Sequence, residues 1–115
     1  MRANPTPDPK AIDAARTFLA RIERQYPVTE ALLYGSRARG DARGDSDVDI
    51  AVILNGKKAD MRLASVEMAG EAFDVMLESG LFLAPIAIAR DDWLNPEGHS
   101  NPYLIRNIRR DGVAL

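Results

Sequence analysis

The sequence contains no cysteine and only one histidine among its 115 residues. The lack of cysteine excludes a disulfide framework, a thiol nucleophile and a cysteine zinc site. No apolar run reaches the roughly 18 residues that a membrane-spanning helix needs. The N-terminal stretch is polar and proline-rich, unlike a signal sequence. We therefore expect a cytoplasmic protein without a membrane segment.

The chain also lacks a strong charge of either sign, because 15 basic residues stand against 17 acidic residues. Proteins that bind the nucleic acid backbone generally present a basic surface, so we expect no direct nucleic-acid binding. A chain of 115 residues with 46% hydrophobic composition has the size of one domain with its own core. We predict a flexible leader over residues 1–8 and a single domain over residues 9–115.

Two closely spaced aspartates begin an apolar run near the middle of the chain. The run from Asp47 to Leu54 is mostly apolar and β-branched, which predicts a strand. Side chains two residues apart on a strand share a face, so Asp47 and Asp49 point the same way. Adjacent carboxylates repel each other unless a cation or a proton lies between them. Mg²⁺ prefers oxygen ligands, and we predict a magnesium site at these two residues.

A glycine and a serine follow the preceding predicted strand, which covers residues 28–34. Gly35 permits a tight turn and a close approach of the backbone to a ligand. Backbone N–H groups after Ser36 would face an anion, and its hydroxyl is an additional donor. Ser36 is also suited to cap the next helix, and the two roles are compatible. A phosphate-binding turn beside paired carboxylates is typical of phosphoryl or nucleotidyl transfer.

Taken together, these segments resemble the signature of the minimal nucleotidyltransferases, which are small members of the DNA polymerase β-like superfamily. The resemblance is carried by GSRARG, which starts at Gly35, and by SDVD, which starts at Ser46. The segment from Leu104 to Val113 also resembles the C-terminal helix of these proteins. Alternating strands and amphipathic helices indicate an α/β fold. The resemblance implies a small mixed β-sheet with flanking helices.

The resemblance further implies the roles of the motif residues. Asp47 and Asp49 would be the catalytic, metal-binding residues, and the nucleotide would be bound by Gly35, Ser36 and Arg39. The implied activity is transfer of AMP from ATP, with Mg²⁺ as cofactor, to a protein hydroxyl. Family members of this size act as antitoxins beside HEPN-type ribonuclease toxins, and some adenylylate a tyrosine of the toxin. ATP and such a toxin are therefore the expected partners.

Two other interpretations remain open. The first is a binding module that keeps the fold and neutralises its partner by stoichiometric contact. The second is transfer to a small molecule such as an aminoglycoside, which normally needs an additional acceptor-binding domain. Retention of the Gly-Ser and Asp-x-Asp pairs favours the enzyme over the binding module.

The enzyme interpretation lacks a clear candidate for a third carboxylate. Active relatives usually supply it from a neighbouring strand. The apolar run over residues 81–89 contains no acid, and Pro85 places this predicted strand at an edge or at a bulge. Asp74 is the alternative ligand if the chain there is a strand, although the local apolar spacing favours a helix.

Three amphipathic helices are predicted. The first is capped by Asp8, with Pro9 at its first position, and the last runs from Asn101-Pro102 to Gly112. The middle helix covers about residues 59–79. We assign its buried stripe to apolar positions at helical spacing, which are Leu63, Val66, Gly70, Phe73 and Leu77. Further apolar residues widen this stripe: Met61, Ala64, Met68, Ala72 and Met76.

The remaining candidates have ordinary structural interpretations. Arg37 is suited equally to a polyphosphate, an acidic partner or solvent. His99 has no spaced histidine or cysteine near it, so we assign it no catalytic or zinc role. We expect Trp93 to pack in the core. The arginines at the end of the last helix complement the helix dipole.

Overall fold

The computed structural model describes residues 6–115, which form a mixed four-stranded sheet with helices on both faces. The sheet and its helices confirm the predicted α/β fold. In chain order the elements are α1 Pro9–Ile22, β1 Val28–Tyr34, α2 Ser36–Arg39, β2 Val48–Leu54, α3 Met61–Ser79, β3 Leu83–Ala89, α4 Arg90–Leu94, α5 Pro102–Asp111 and β4 Val113–Ala114. Short 3₁₀ turns precede α3 and α5.

The strand order across the sheet is β3-β2-β1-β4. β1 runs antiparallel to both β2 and β4, whereas β2 and β3 are parallel. The register places Asp49 of β2 opposite Tyr34 on one side and opposite Ala84 on the other. β3 lies at the edge of the sheet, as Pro85 within it predicts.

β2 lies inside the sheet and is buried on both of its faces. Val48, Ile50, Val52 and Leu54 pack into the core formed by α1 and α3. The opposite face carries Asp49 and then two buried residues, Ala51 and Ile53, which pack under α4 and α5. The predicted strand is confirmed, and its face with Asp49 is apolar beyond that residue.

The ends of the helices confirm the predicted caps. Asp8 precedes α1, and its carboxylate accepts a hydrogen bond from the Lys10 N–H at 3.0 Å. The Asn101 side chain accepts from the Leu104 N–H at 3.2 Å at the start of α5. Residues 1–5 of the predicted leader lie outside the described residues. Asp8, the last residue of that leader, is fixed at the start of α1.

The middle helix forms where its periodicity predicts, but the assignment of its buried face is wrong for the large residues of the stripe and right for three of the widening positions, Ala64, Met68 and Ala72. The residues of α3 that are buried are Ala64, Met68, Ala72 and Val75. The large side chains of the predicted stripe, Leu63, Val66, Phe73 and Leu77, are instead exposed. α3 carries apolar residues on two faces, so their spacing does not identify the buried one. Two short alanines on the inner face permit close packing against the sheet, and the Ser65 hydroxyl accepts from the Ala87 N–H at 2.9 Å.

Within the described residues, no helix has the length and apolar character needed to cross a membrane.

Candidate active site

The paired aspartates lie where β2 begins, at an open edge of the sheet. Asp47 immediately precedes β2 and is exposed, while Asp49 is its second residue and is partly buried. Burial raises the pKa of the Asp49 carboxyl above its ordinary value, and the negative charge of Asp47 raises it further. The positive charge of Arg39 acts in the opposite direction. The site therefore concentrates negative charge in a partly desolvated position.

The turn after β1 brings the backbone against one of these carboxylates. Gly35 has a φ of +74°, a conformation that side-chain-bearing residues rarely adopt. A Cβ atom at this position would overlap the Oδ2 atom of Asp49. Only glycine therefore fits both the turn and the space beside the aspartate.

The short helix α2 starts at this turn. Gly35 is the N-cap residue of α2, and Ser36 is the first helical residue. No side chain caps this end of the helix, so the capping role predicted for Ser36 is wrong. The glycine carbonyl accepts hydrogen bonds from the N–H groups of Ala38 and Arg39, both at 3.1 Å. N–H groups at the first positions of a helix have no partners within it, which suits Ser36 to an anion contact.

Arg37 is a structural residue in this fold. Its guanidinium is buried and donates to the Asp8 carboxylate at 2.6 Å. It also donates to the Ser46 carbonyl at 2.8 Å and to the Gly44 carbonyl at 3.3 Å. Arg37 therefore ties the loop that leads into Asp47 to the start of α1. Sequence reasoning missed this role because its partners lie up to 29 positions away.

Arg39 lies among carboxylates at the open side of the site. Its guanidinium is 3.3 Å from an Asp41 oxygen and 3.7 Å from an Asp111 oxygen at the end of α5. Its side chain is 45% exposed, so a ligand can reach it. The nucleotide contact expected of Arg39 stays a prediction.

Tyr34 is a residue of the site that sequence reasoning did not single out. It lies opposite Asp49 in the β1–β2 register. Burial, together with the negative charge of Asp49, raises the pKa of the Tyr34 phenol to about 12. The phenol is therefore protonated at neutral pH and available as a hydrogen-bond donor at this edge. Its position at the end of a predicted strand, directly before Gly35, was the available signal.

Comparison with known proteins identifies the family. Residues 15–114 match the family described as nucleotidyltransferase domain. The chain belongs to this nucleotidyltransferase family. A search of curated proteins finds no significant match.

Five chains of solved structures match this nucleotidyltransferase domain. One is the crystal structure of a candidate nucleotidyltransferase from Sulfolobus solfataricus, with a TM-score of 0.51 and 20% sequence identity. The match covers 91% of the present chain and 85% of the other. At this identity the likeness supports the fold alone.

Within the described part of this nucleotidyltransferase domain, no third carboxylate lies beside the pair. Asp74 lies on the exposed surface of α3, in a helix rather than a strand. Its charge acts instead on Arg21 of α1. On β3, the residue opposite Asp49 is Ala84. Among residues 6–115, no group of three or more histidine, aspartate or glutamate residues is placed to hold a metal ion.

The two aspartates still fit a magnesium ion that arrives with a nucleotide. Mg²⁺ is commonly bound by one or two carboxylates, with substrate phosphates and waters completing its octahedral shell. Burial, and then the negative charge of Asp47, raise the pKa of Asp49, and a divalent cation would relieve the repulsion between the two carboxylates. The donor set is therefore suited to one such ion rather than to a site enclosed by protein ligands.

The remaining candidates have structural roles. The ring of His99 accepts a hydrogen bond from the Asn101 N–H at 2.9 Å. Trp93 is buried, as expected, and its indole donates to Glu30 at 3.1 Å. The Arg109 guanidinium stacks 5.0 Å from the centre of the Trp93 ring.

We expect Gly35→Ala to abolish nucleotide binding, because the new methyl group would displace the Asp49 carboxylate and the turn would be strained. Gly44→Ala is the matched control, since a Cβ at that position meets nothing within 4 Å. Calorimetric titration with Mg-ATP measures the effect. Equal binding by the two variants would contradict the tight approach of Gly35 to Asp49.

We expect Asp8→Asn to lower the free energy of unfolding at neutral pH by about 1 to 3 kcal/mol, because Arg37 loses its buried charge partner. Burial alone would raise the pKa of Asp8, but the hydrogen bonds from Arg37 and from the Lys10 N–H hold it below its ordinary value of 3.8. A carboxyl whose pKa is lower in the folded state than in the unfolded state stabilises the folded protein at pH values above the unfolded-state pKa. This stabilisation disappears as the pH falls through the folded-state pKa. The difference between wild type and variant in urea denaturation should therefore shrink below about pH 3.9. A difference that persists unchanged in acid would contradict the ion pair.

Proposed function

We propose that this protein transfers AMP from Mg-ATP to a hydroxyl group of a partner protein. The observation that carries the proposal is the contact between the Gly35 turn and the Asp49 carboxylate. The backbone of the Gly35 turn lies against one of the paired aspartates, in a chain of the nucleotidyltransferase family, and this supports the proposal. Nucleotidyl transfer needs these two features side by side.

Each residue of the motif has a role in this reaction. Asp47 and Asp49 would hold the magnesium ion that accompanies ATP. The backbone at Gly35 and the hydroxyl of Ser36 would bind the β- and γ-phosphates, and Arg39 would contact the nucleotide from the open side. Magnesium, when bound, would neutralise charge on the phosphates and on the departing pyrophosphate.

The transfer forms a bond from the acceptor oxygen to the α-phosphorus and breaks the bond from that phosphorus to pyrophosphate. The acceptor hydroxyl oxygen attacks the α-phosphorus and releases its proton to solvent, while the bond from that phosphorus to the oxygen that bridges to the β-phosphorus breaks. Pyrophosphate then leaves, and AMP remains on the acceptor. The contribution of the protein is mainly to position the reactants and to stabilise their charge.

The proposed acceptor is a tyrosine of a HEPN-type ribonuclease toxin, with this protein as the antitoxin. The support for this partner is the resemblance of the motif to the minimal nucleotidyltransferases. A cytoplasmic location, where ATP and such a toxin would be present, belongs to the same proposal.

The alternative is a binding module that neutralises its partner without chemistry. Ala84 is the observation in its favour, because it stands opposite Asp49 where a neighbouring strand would supply the third carboxylate. Such a protein would keep the fold and contact its partner in a fixed ratio.

Labelling with ATP that carries ³²P at the α-phosphate tests the transfer. We expect host lysate supplied with the purified protein and Mg²⁺ to give a labelled protein band. Asp49→Asn should reduce the band by about 100-fold or more, since even residues that only support metal ligands cost 10- to 100-fold. Asp45→Asn is the matched control, because Asp45 is an exposed acid of the same loop. No Asp49-dependent band, in lysate that contains a co-purifying protein, would favour the binding module.

Restoring a carboxylate on β3 separates the two interpretations further. Ala84→Asp places an acid opposite Asp49 at a partly exposed position, where the fold should tolerate it. If the protein is an enzyme with an incomplete metal site, the labelling rate should rise, by about tenfold, through better charge stabilisation. Initial rates of α-phosphate incorporation measure the change, with Ala84→Asn as the uncharged control. An unchanged or lower rate would contradict the view that this position limits the reaction.

A further inference from the structure

Four large apolar side chains project from the outer face of α3. Leu63 is 62% exposed, Val66 66%, Phe73 55% and Leu77 67%, and we call these residues the apolar stripe. Their helical spacing places them along one line of about 21 Å, at 1.5 Å per residue. Contiguous exposed apolar surface of this kind marks interaction sites in soluble proteins.

The apolar surface continues from α3 toward the candidate active site. A groove of about 170 Å³ lies beside the stripe, between α3 and the start of β3. The residues that line it all carry apolar side chains: Ala69, Ala72, Phe73, Met76, Phe82 and Leu83. Phe82 is 66% exposed, and its carbonyl accepts from the Val48 N–H at 2.7 Å. Val48 follows Asp47 directly. This end of the groove therefore lies at the end of the sheet where β2 begins.

Gly70 lies in the middle of the apolar stripe. A helix with glycine in its interior is less stable than the same helix with alanine. Such a glycine is usually explained by a nearby group that leaves no room for a Cβ atom. At Gly70 a Cβ would meet nothing within 4 Å. The space lies on the outer face, where the missing side chain would let a second helix approach α3 closely.

An acidic edge runs along one side of the stripe. It consists of Glu67, Glu71, Asp74 and Glu78, spaced three or four residues apart along α3. Arg21 of α1 pairs with Glu78, and the Tyr26 hydroxyl donates to Glu67. Arg21 is the cation that faces this edge from the packed helix, so the four carboxylates retain a net negative charge.

The acidic edge limits what can cover the stripe. In an antiparallel pair of α3 helices related by a two-fold axis, the acidic edges of both copies would lie on the same side and repel. An anionic lipid surface would be repelled in the same way. A partner helix with an apolar face and basic residues along one edge would match both the stripe and the charge.

We propose that the apolar stripe and acidic edge of α3 dock an amphipathic helix of a partner protein that carries lysines or arginines along one edge. The docking surface is the same whether the protein acts as an enzyme or as a binding module. Because the docking surface extends to Phe82, a docked partner would lie beside Asp47.

Two synthetic helical peptides of about 20 residues test the proposal, since such a helix spans the stripe. Both carry a leucine face, and they differ only in having lysines or glutamates along one edge. By fluorescence anisotropy, we expect the lysine peptide to bind at least about tenfold more tightly than the glutamate peptide. The double variant Val66→Ser/Phe73→Ser should weaken binding of the lysine peptide about tenfold or more. Leu94→Ser is the control, because Leu94 is 59% exposed on α4, outside the stripe.

Several outcomes would overturn the proposal. Equal binding of both peptides would exclude recognition of a basic edge. Absence of binding, or binding unaffected by the double variant, would exclude a helix-docking role for the stripe. Sedimentation that shows a dimer lost in the double variant would assign the stripe to a second copy of this chain. Binding to vesicles of anionic phospholipid that the double variant abolishes would assign it to a membrane. Thermal melts of the variants verify that each is folded.

Discussion

The close approach of the Asp49 carboxylate to the backbone of Gly35 is the constraint on which the site depends. It requires a positive φ at residue 35 and the absence of a Cβ there. It also requires the β1–β2 register that sets Tyr34 opposite Asp49. A shift of this register by one residue would turn Asp49 into the core and expose the apolar face of β2. The hydrophobic core therefore fixes the position of the catalytic candidates.

The electrostatics of the edge follow from the same arrangement. Asp49 is partly desolvated and lies near Asp47, so its pKa rises. Burial of Tyr34, together with the negative charge of Asp49, raises the pKa of Tyr34. Arg39 offsets part of this negative charge from the open side. Arg37, although adjacent in the motif, is fully engaged in fixing the loop between α2 and β2. Of the two arginines in this short motif, Arg37 is therefore structural, whereas Arg39 can be reached by a ligand.

The sequence was informative where the signal was local. Two β-branched strands, the caps at Asp8 and Asn101 and the Gly-Ser turn depend on neighbouring residues, and the structure confirms those elements. The buried face of α3 was not predictable from spacing, because the apolar residues of that helix occupy two faces. The roles of Arg37 and Tyr34 depend on partners that only the tertiary fold brings together. The spacing of the motif predicted the family, whereas Ala84 opposite Asp49 required the strand register.

We propose that the Gly35 turn and the paired aspartates together bind a magnesium nucleotide. The most direct test of this proposal is an NMR titration of the ¹⁵N-labelled protein with Mg²⁺ and α,β-methylene-ATP, a non-transferable analogue. We predict that the amide signals of Gly35, Ser36 and Asp49 shift when both are present, and that Asp47→Asn removes the shifts. Shifts confined to other parts of the chain, or no shifts at saturating analogue, would contradict the account.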